Sequence, residues 1–443
     1  MGEIHEAEFS LSDKINLPSN VKEQKIEGKN LIISPEKATW LVLNNPNQYK
    51  IYSLLKKGNN IRECLDKIDI QSEKEKKKVM KSVLTEIEVK KFYEETEPST
   101  PKPGKSLILY LTQGCNLRCD HCYLECENPL ENELSDEEFC SILDQYADMN
   151  EGGSVTLTGG EVLTRKDTFL KVLNHAYDLD LKPIVQTNGT LLTPKIADQI
   201  TEKAYEVQVS IDGTNKDMHD KIRGKGTFKK SIKGLSYFDD SQIRVSVAMV
   251  PQPKNLDTFE KELPEFVEKL RDKVGEEFIV RLAPEILEGR NIDSLSRENI
   301  KFRKRVRKLF DDIYSEEFLY KIEKRKPTNK TINCGYGAGI QIGSQGECLA
   351  CDTVPTEIGS VGNIKNHSLK ELRDKLLEKF KNTNVDKMEE CKDCDLRYFC
   401  GGGCKGMNLQ RNGSILSPVC NEDSKKEILS SLVKMNKWIY QRK

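Results

Sequence analysis

The sequence has no hydrophobic run long enough to cross a membrane and no apolar segment at its N-terminus. A spanning helix needs about 20 mainly apolar residues and a signal peptide needs an apolar core, so a membrane protein and an exported protein are both disfavoured. The sequence also lacks an excess of charge of one sign, because 70 Lys and Arg residues face 71 Asp and Glu residues. Net charge therefore indicates neither nucleic acid nor a membrane as a partner. We expect a cytoplasmic protein of two or three domains, since 443 residues exceed one ordinary core.

Cysteine, in contrast, is abundant and clustered. Twelve of the 14 cysteines lie between residues 115 and 126 or between residues 334 and 420, and Cys64 and Cys140 stand apart. In a chain without an export signal thiols stay reduced, so clustered cysteines favour metal binding over disulfides. We interpret Cys64 and Cys140 as ordinary buried thiols.

Residues 1–95 have no metal-ligand pattern and predict a compact unit of strands followed by helices. Residues 96–105 contain three prolines, which disfavour both helix and central strand, and therefore predict a linker. The apolar patterns in the first unit predict strands at 31–34 and 39–43 and helices at 49–55, 61–68 and 73–92.

From residue 106 strands and helices alternate, which predicts an α/β fold with a parallel sheet that is open or curled into a partial barrel. Ligands of such sheets bind at the carboxyl ends of the strands, and the first cysteine group follows the first strand. A basic helical stretch at 294–326 leads into a tail rich in Gly and Cys. The strands are predicted at 107–111, 154–157, 183–186, 206–211, 243–250 and 277–282.

Cys115, Cys119 and Cys122 are spaced C-x3-C-x2-C directly after the first of these strands. Three thiolates on one loop can hold three irons of a four-iron cluster, which leaves the fourth iron open to a small molecule. The alternative is a zinc site, for which His121 or Cys126 would supply the fourth ligand. The triplet alone leaves both possibilities open.

The segments at the strand ends, taken in order, resemble those of the radical S-adenosylmethionine (SAM) superfamily. Thr158-Gly-Gly-Glu161 follows the second strand and is similar to the family's Gly-Gly-Glu segment. Polar residues 186–189 and 210–213 follow the third and fourth strands. Arg223 matches a family arginine, and Val250 ends the fifth strand.

The resemblance implies a partial (β/α)6 barrel in which the cysteine triplet holds a [4Fe–4S] cluster. SAM would bind at the open iron and be cleaved reductively to a 5′-deoxyadenosyl radical. Glu161 would pair with the SAM ammonium and Arg223 with its carboxylate, Val250 would pack on adenine, and the glycines would let the backbone approach the ligand. The implied SAM-binding residues are Tyr123, Gly159, Gly160, Glu161, Thr187, Asn188, Ser210, Asp212, Arg223 and Val250.

The cysteines of the tail occur in the order of the SPASM extension found in radical SAM enzymes that modify peptides and proteins. The resemblance implies two auxiliary clusters, which makes three [4Fe–4S] clusters in all. We predict that Cys348 completes the inner cluster; the alternative leaves one of its irons free for a substrate thiolate. The implied ligands are Cys391, Cys394, Cys400 and Cys420 for the outer cluster and Cys334, Cys351 and Cys404 for the inner one.

Residues 1–95 resemble the PqqD-like, winged-helix-like domain of peptide-modifying radical SAM enzymes, to which a precursor's leader peptide adds as an extra strand. With a barrel at 106–315 and a SPASM domain at 316–443, this layout implies a maturase of a ribosomally made peptide. The layout is most similar to that of enzymes that form a thioether between a cysteine sulfur and a carbon. A carbon–carbon crosslink, backbone excision, epimerisation and sulfatase-type maturation are the alternatives. The family implies an external one-electron reductant, flavodoxin or ferredoxin, and Cys126 is either a surface thiol or a functional one.

Overall fold

The computed structural model describes residues 9–100, 104, 106–275, 278–283, 290, 299–314 and 326–439. The chain folds into two compact units that interleave along the sequence. We name the first the terminal unit, because it contains both ends of the chain, and the second the barrel unit. The boundaries predicted at residues 95, 105 and 315 divide the chain linearly and stay a prediction. The terminal unit comprises residues 1–102, 316–334 and 383–443, and the barrel unit comprises 103–315 and 335–382.

The terminal unit begins with a three-stranded antiparallel sheet in the order β1-β2-β3, followed by three helices. Ile32, Leu41 and Leu43 point from one face of the sheet into a core that these helices share. Asn60 begins the second helix with a capping box, and Ser72 caps the third. The elements are β1 Lys22–Ile26, β2 Lys29–Ser34, β3 Thr39–Leu43, α1 Pro46–Lys56, α2 Ile61–Lys67 and α3 Glu73–Lys90.

The barrel unit contains six parallel strands that pair in sequence order, β4 to β9, with helices between most of them. The prediction of an α/β fold with a parallel sheet is confirmed. A capping box at Ser135 begins α4. The predicted basic helix at 294–326 is described only in part, since 294–298 and 315–325 lie outside the described residues. The elements are β4 Ser106–Tyr110, α4 Asp136–Met149, β5 Ser154–Thr158, α5 Lys166–Asp178, β6 Lys182–Thr187, α6 Pro194–Lys203, β7 Glu206–Ser210, α7 Lys216–Arg223, α8 Thr227–Leu235, β8 Arg244–Met249, α9 Leu256–Val274, β9 Ile279–Leu282 and α10 Asn299–Ile313.

Three short strands from the Gly- and Cys-rich tail extend the barrel sheet beyond β4. β10 runs parallel to β4, and β11 and β12 follow antiparallel, so the sheet order is β12-β11-β10-β4-β5-β6-β7-β8-β9. Cys348 lies on β11 and is fully buried. The first part of the Gly- and Cys-rich tail is therefore built into the barrel sheet. The elements are β10 Ile340–Ile342, β11 Glu347–Leu349, α11 Thr356–Gly359, β12 Ser360–Asn363 and α12 Leu369–Asn382.

The last part of the tail returns to the terminal unit and covers the second face of its sheet. Leu31, Ile33, Trp40 and Val42 form one hydrophobic core with residues such as Phe399. The indole of Trp40 donates to the carbonyl of Leu432 (3.1 Å) and meets the Phe399 ring edge-on, with centroids 6.1 Å apart. The helices are α13 Arg397–Cys400, α14 Lys405–Asn412 and α15 Glu422–Ile439. None of the helices in the described ranges has the length and apolar composition needed to span a bilayer.

Candidate active site at the cysteine loop

The loop that carries the first cysteine group, residues 111–128 (the cysteine loop), is tied by backbone hydrogen bonds to the end of β5. The Leu111 N–H donates to the carbonyl of Thr158 (2.8 Å), and the Gly160 N–H donates to that of Thr112 (2.8 Å). The Glu161 N–H donates to the carbonyl of Gly114 (2.9 Å). These bonds place the loop at the carboxyl edge of the parallel sheet, where the sequence predicted a ligand site.

The glycine pair after β5 is required by this close approach of two backbones. A Cβ on Gly159 would lie 2.5 Å from the carbonyl oxygen of Thr112, and a Cβ on Gly160 would lie 2.3 Å from that of Gly114. Gly159 also has a φ of 152°, in the region that favours glycine. In the structure the glycines thus make room for the cysteine loop itself, whereas the sequence analysis assigned them to the approach of a ligand.

Glu161 connects the ends of two strands, β5 and β6, through its carboxylate. Oε1 accepts from the Leu163 N–H (3.1 Å) and the Thr187 hydroxyl (2.7 Å), and Oε2 accepts from the Asn188 N–H (2.6 Å). The residue is 1% exposed, and this burial raises its pKa, which the bonds from Asn188 and Thr187 only partly offset. The carboxylate therefore braces the ends of β5 and β6 in addition to any contact with a ligand; the predicted contact with the SAM ammonium stays a prediction.

Asn188 links the end of β6 to the cysteine loop. Its side-chain amide donates to Oδ1 of Asn116 (2.9 Å), and the Asn116 amide donates to the hydroxyl of Thr190 (2.8 Å). Oδ1 of Asn188 accepts from both the N–H and the hydroxyl of Thr190 (2.9 and 2.6 Å). Asn188 was predicted from the sequence, whereas Asn116 and Thr190 were not, although each lies next to a predicted residue.

Asp212 and Arg223 form a buried ion pair beneath the loop. Arg223 Nε donates to Oδ2 of Asp212 (2.5 Å), the Val250 N–H donates to Oδ1 (2.8 Å), and Nε2 of His121 lies 3.3 Å from Oδ2. Burial by itself would raise the pKa of Asp212, but the charges of Arg223 and His121 hold that pKa below its usual value. Asp212 thus holds Arg223, Val250 and His121 in place. Ser210, which was also predicted to bind SAM, ends β7 two residues before Asp212.

The three thiols meet donors and a cation, as ligands of an iron–sulfur cluster would. The Leu117 N–H donates to Sγ of Cys115 (3.4 Å), and Nη1 of Arg223 lies 3.9 Å from Sγ of Cys119. A hydrogen bond from Cys126 lowers the pKa of Cys122. Cys126 itself is 2% exposed, so the interpretation of Cys126 as a surface thiol is wrong.

Across the described residues, no group of three or more His, Cys, Asp or Glu side chains is arranged to hold a single metal ion. Ligands of a four-iron cluster bind to separate irons. The donors around the triplet fit such a cluster.

Tyr110, Tyr123 and Asp352 form a cluster that the sequence analysis missed. Both tyrosine hydroxyls donate to Oδ2 of Asp352, at 2.9 Å from Tyr110 and 3.0 Å from Tyr123. Tyr123 follows Cys122 in the sequence, and Asp352 follows Cys351. The bond between Tyr123 and Asp352 therefore joins the neighbours of two predicted cluster ligands. Tyr123 was predicted to contact SAM, and its hydroxyl is bound to Asp352 here. The only signal in the sequence was the position of Asp352 beside a cysteine.

The tail cysteines divide between the two units. Cys348 and Cys351 belong to the barrel unit, and the remaining six belong to the terminal unit. In the terminal unit Lys405 is buried; burial lowers its pKa, and the neighbouring cysteines, with Cys334 and Cys391 foremost, oppose that shift. A buried ammonium among cysteines suits a group that carries negative charge, as a thiolate-ligated cluster does. The assignment of ligands to the inner and outer clusters stays a prediction.

Two regions of the chain match known protein families. Residues 109–263 match the radical SAM superfamily, and residues 334–395 match SPASM, an iron–sulfur cluster-binding domain. The antilisterial bacteriocin subtilosin biosynthesis protein AlbA of Bacillus subtilis (strain 168) is 29% identical over 68% of this chain and 67% of its own. An AdoMet-dependent heme synthase of Nitratidesulfovibrio vulgaris is 25% identical over 72% of this chain and 93% of its own.

The structure of Streptococcus suis SuiB bound to the precursor peptide SuiA has the same fold, with a TM-score of 0.55, 16% identity and coverage of 92% of this chain and 99% of SuiB. The order of the parallel strands, the cysteine loop at their carboxyl edge and the two matched domains agree. The chain therefore carries a radical SAM domain at residues 109–263 and a SPASM iron–sulfur cluster-binding domain at residues 334–395.

Proposed function

We propose that the protein matures a ribosomally made peptide and forms a thioether between a cysteine sulfur and a carbon of that peptide. The observation that carries this proposal is the sheet of the terminal unit, which has one open edge on which an extended peptide can add as a strand. The similarity to a bacteriocin biosynthesis protein supports a peptide as the substrate. The choice of a thioether among radical modifications follows from the resemblance in domain layout.

In this proposal Cys115, Cys119 and Cys122 hold the SAM-binding cluster, and the eight tail cysteines hold two auxiliary clusters. When bound, SAM and these clusters supply a 5′-deoxyadenosyl radical that takes a hydrogen atom from the peptide, and an acceptor for the electron left by bond formation. The residues of the chain orient these groups. Arg223, fixed by Asp212, presents its remaining guanidinium N–H groups to the SAM carboxylate.

Asp352 is the group that we assign to the peptide thiol. A thioether requires the cysteine sulfur to lose its proton as the carbon loses its hydrogen atom. Oδ2 of Asp352 is occupied by Tyr110 and Tyr123, which fix the carboxylate in place. Oδ1 accepts a long hydrogen bond from the thiol of Cys351 (3.7 Å), which would be lost if Cys351 bound iron as a thiolate. We assign Oδ1 as the proton acceptor, since a general base has to lie within hydrogen-bond reach of the proton that it takes.

The open edge of the terminal sheet is β1. On β3 the Val42 N–H already donates to Oε1 of Glu86 (3.1 Å), so that edge is partly closed by a side chain. On β1 four of the five residues are exposed. The turn Glu27-Gly28 has two positive φ angles, 50° and 78°, which defines a two-residue hairpin in which the flanking pair Ile26–Lys29 exchanges hydrogen bonds. The N–H of Lys25 therefore points away from β2.

The test of leader docking is Lys25→Pro, with Lys25→Ala as the matched control. Proline removes the outward N–H and is tolerated on an edge strand, whereas alanine keeps the N–H and removes the same side chain. We expect Lys25→Pro to weaken binding of a leader-bearing precursor by about tenfold. The lost hydrogen bond is worth about 1 kcal/mol, and the proline ring also obstructs the approach of the leader backbone. SAM cleavage without peptide should not change. Equal leader affinity for both variants rejects docking on β1.

The test of the proton acceptor is Asp352→Asn. We expect reductive SAM cleavage to continue and 5′-deoxyadenosine to form, while a precursor that has lost two hydrogens no longer appears by mass spectrometry. Tyr177→Phe, an exposed tyrosine on α5, is the control and should process the precursor normally. Normal crosslinking by Asp352→Asn would remove Asp352 from the mechanism.

Heme synthesis is the second candidate, because the similarity to an AdoMet-dependent heme synthase covers 72% of this chain. The two functions differ in their product. Incubation with an iron porphyrin substrate and SAM should leave the porphyrin spectrum unchanged if the protein matures peptides. Porphyrin conversion together with an unmodified precursor would favour the heme synthase function.

A further inference from the structure

The cysteine loop borders a cavity of about 320 Å³ that is lined mainly by polar and basic side chains. It lies between the loop and the helix pair α7–α8. Four of its lining residues, Arg118, Arg223, Lys225 and Lys230, carry positive charge. The remaining lining residues are Asn116, Leu117, Thr190, Gly224 and Thr227.

The positive charge continues over the exposed surface of α7 and α8. Residues 216–233 contain seven Lys and Arg residues and two Asp residues in a chain whose net charge is −1. One of the two aspartates, Asp220, is occupied by the N–H groups of Gly226 (2.7 Å) and Phe228 (2.8 Å). Within the described ranges of the chain, Lys225 and Lys230 form no ion pair. The lysine side chains that are exposed here are Lys216, Lys221, Lys225, Lys229, Lys230 and Lys233.

This basic surface contacts Cys119, one of the three cysteines to which we assign the SAM-binding cluster. The Asp120 N–H donates to the carbonyl of Ile222 (3.0 Å), and Nη1 of Arg223 lies 3.9 Å from Sγ of Cys119. The next residues, Gly224 and Lys225, are exposed. One end of α7 therefore meets a cluster cysteine, and the residues that follow it meet solvent.

We propose that the exposed lysines of α7–α8, two of which line this cavity, dock an acidic one-electron carrier protein that reduces the cluster held by Cys115, Cys119 and Cys122. Charge complementarity accelerates the encounter of such partners and fixes their orientation. Electron transfer becomes slower steeply with distance, so the docking surface has to border the cluster, as this one does. In the step the carrier loses one electron and the cluster gains one; no proton or other group moves.

An acidic segment of a peptide substrate is the competing occupant of a basic surface. The contact of Arg223 with Cys119 favours the carrier, because electron transfer needs a short path to the cluster and peptide binding does not. The proposal rests on the radical SAM assignment and not on peptide maturation. A failure of one therefore leaves the other standing.

The test is the double variant Lys225→Glu/Lys230→Glu, which reverses two charges of the surface and changes no residue assigned to the cluster or to SAM. Lys77→Glu/Lys78→Glu, on exposed lysines of α3, makes the same change of charge in the other unit. Lys225→Arg/Lys230→Arg keeps the charge. All are prepared as reconstituted holoenzymes, and the probe is a flavodoxin whose affinity is measured anaerobically by calorimetry at low and at physiological ionic strength.

We expect the Glu variant to bind flavodoxin about tenfold more weakly than the wild type and with a smaller dependence on salt. The α3 control and the Arg variant should bind like the wild type. Cleavage of SAM should fall in the Glu variant when flavodoxin is the reductant and remain when dithionite is. Equal binding of flavodoxin by the Glu variant and the α3 control overturns the proposal. A Glu variant that binds flavodoxin normally but no longer binds the precursor peptide overturns it as well.

Discussion

Glu161→Gln keeps the size of a buried side chain and removes its charge, and it distinguishes two roles of this carboxylate. In the structure both oxygens of Glu161 accept hydrogen bonds, from Leu163, Thr187 and Asn188. Glutamine offers one oxygen and one NH2 group. Whichever way the amide is turned, the NH2 group faces a backbone N–H, so at least one donor loses its acceptor.

The cost follows from the burial of the site. Leaving a buried donor without an acceptor costs about 1–3 kcal/mol, and hydrogen bonds to charged groups are worth about 1.5–3 kcal/mol, so we expect a loss of about 2–3 kcal/mol. For a folded unit of this size the transition temperature should fall by roughly 4–10 °C. If Glu161 only contacted SAM, the SAM-free protein would keep its transition temperature. SAM at about one hundred times its Kd for the wild type would then stabilise the variant by less than the ~2.7 kcal/mol by which it stabilises the wild type.

The assay is scanning calorimetry of the anaerobically reconstituted protein, with and without SAM. Glu137→Gln, an exposed change on α4, is the control and should stay within about 0.5 kcal/mol of the wild type. An unchanged transition temperature of SAM-free Glu161→Gln, combined with a lost response to SAM, would show that Glu161 does not stabilise the ends of β5 and β6. A lowered transition that still responds to SAM supports it.

Three further changes test other parts of the structure. Gly160→Ala places a Cβ 2.3 Å from a carbonyl oxygen of the cysteine loop, so the iron content should fall by about four atoms per chain. Asp212→Asn leaves the buried guanidinium of Arg223 without its counter-charge, which should cost about 3–5 kcal/mol in calorimetry. Burial raises the pKa of Glu86 to about 7, so the carboxyl stabilises the fold below pH 4.5 and this contribution, up to about 3 kcal/mol, is lost as the pH rises through 7. Glu86→Gln should flatten this pH dependence, which hydrogen exchange of the α3 amides can follow.

Each of these changes has a counterpart at a tolerant position. Gly104→Ala meets only ordinary contact at 3.8 Å and should keep its iron. Asp217→Asn, an exposed change on α7, should leave the calorimetric transition where it is. Glu75→Gln lies on the exposed part of α3 and should keep the wild-type pH dependence. Iron retained by Gly160→Ala, or an unaltered slope for Glu86→Gln, would contradict the contacts on which these expectations depend.

The sequence predicted most of the barrel because its strands are apolar and its helices carry strong start signals. Examples of such signals are the capping box at Ser135, which begins α4, and Thr193 with Pro194, which begin α6. β1 was missed because Lys22–Ile26 is almost wholly charged or polar and reads as a loop. It is a strand because its backbone pairs with β2 through a two-residue turn, which is a contact between chain segments and not a property of the segment.

The sequence predicted the location of the site but not its internal contacts. The order of motifs after the strands gave the position of the cysteine loop, whereas the side-chain bonds within the site had no signal in the sequence. Asp352 lies 242 positions from its partner Tyr110, and nothing local in the sequence indicates that their side chains meet. β10–β12 were missed for a related reason, since strands of three and four residues among glycines carry too little periodicity to recognise.

The second face of the N-terminal sheet has a consequence for the construction of hybrid enzymes. Trp40 and its neighbours complete their core with Phe399, Leu432 and other residues contributed more than 350 positions later, so neither segment is a self-sufficient folding module. Removing residues 1–95 would expose that apolar face of the tail, and lost activity in such a truncation would report misfolding as readily as lost recognition. Grafting a different recognition sheet onto this enzyme therefore requires exchanging residues 1–102 and 383–443 as a matched pair, and natural relatives that change peptide should have changed both together.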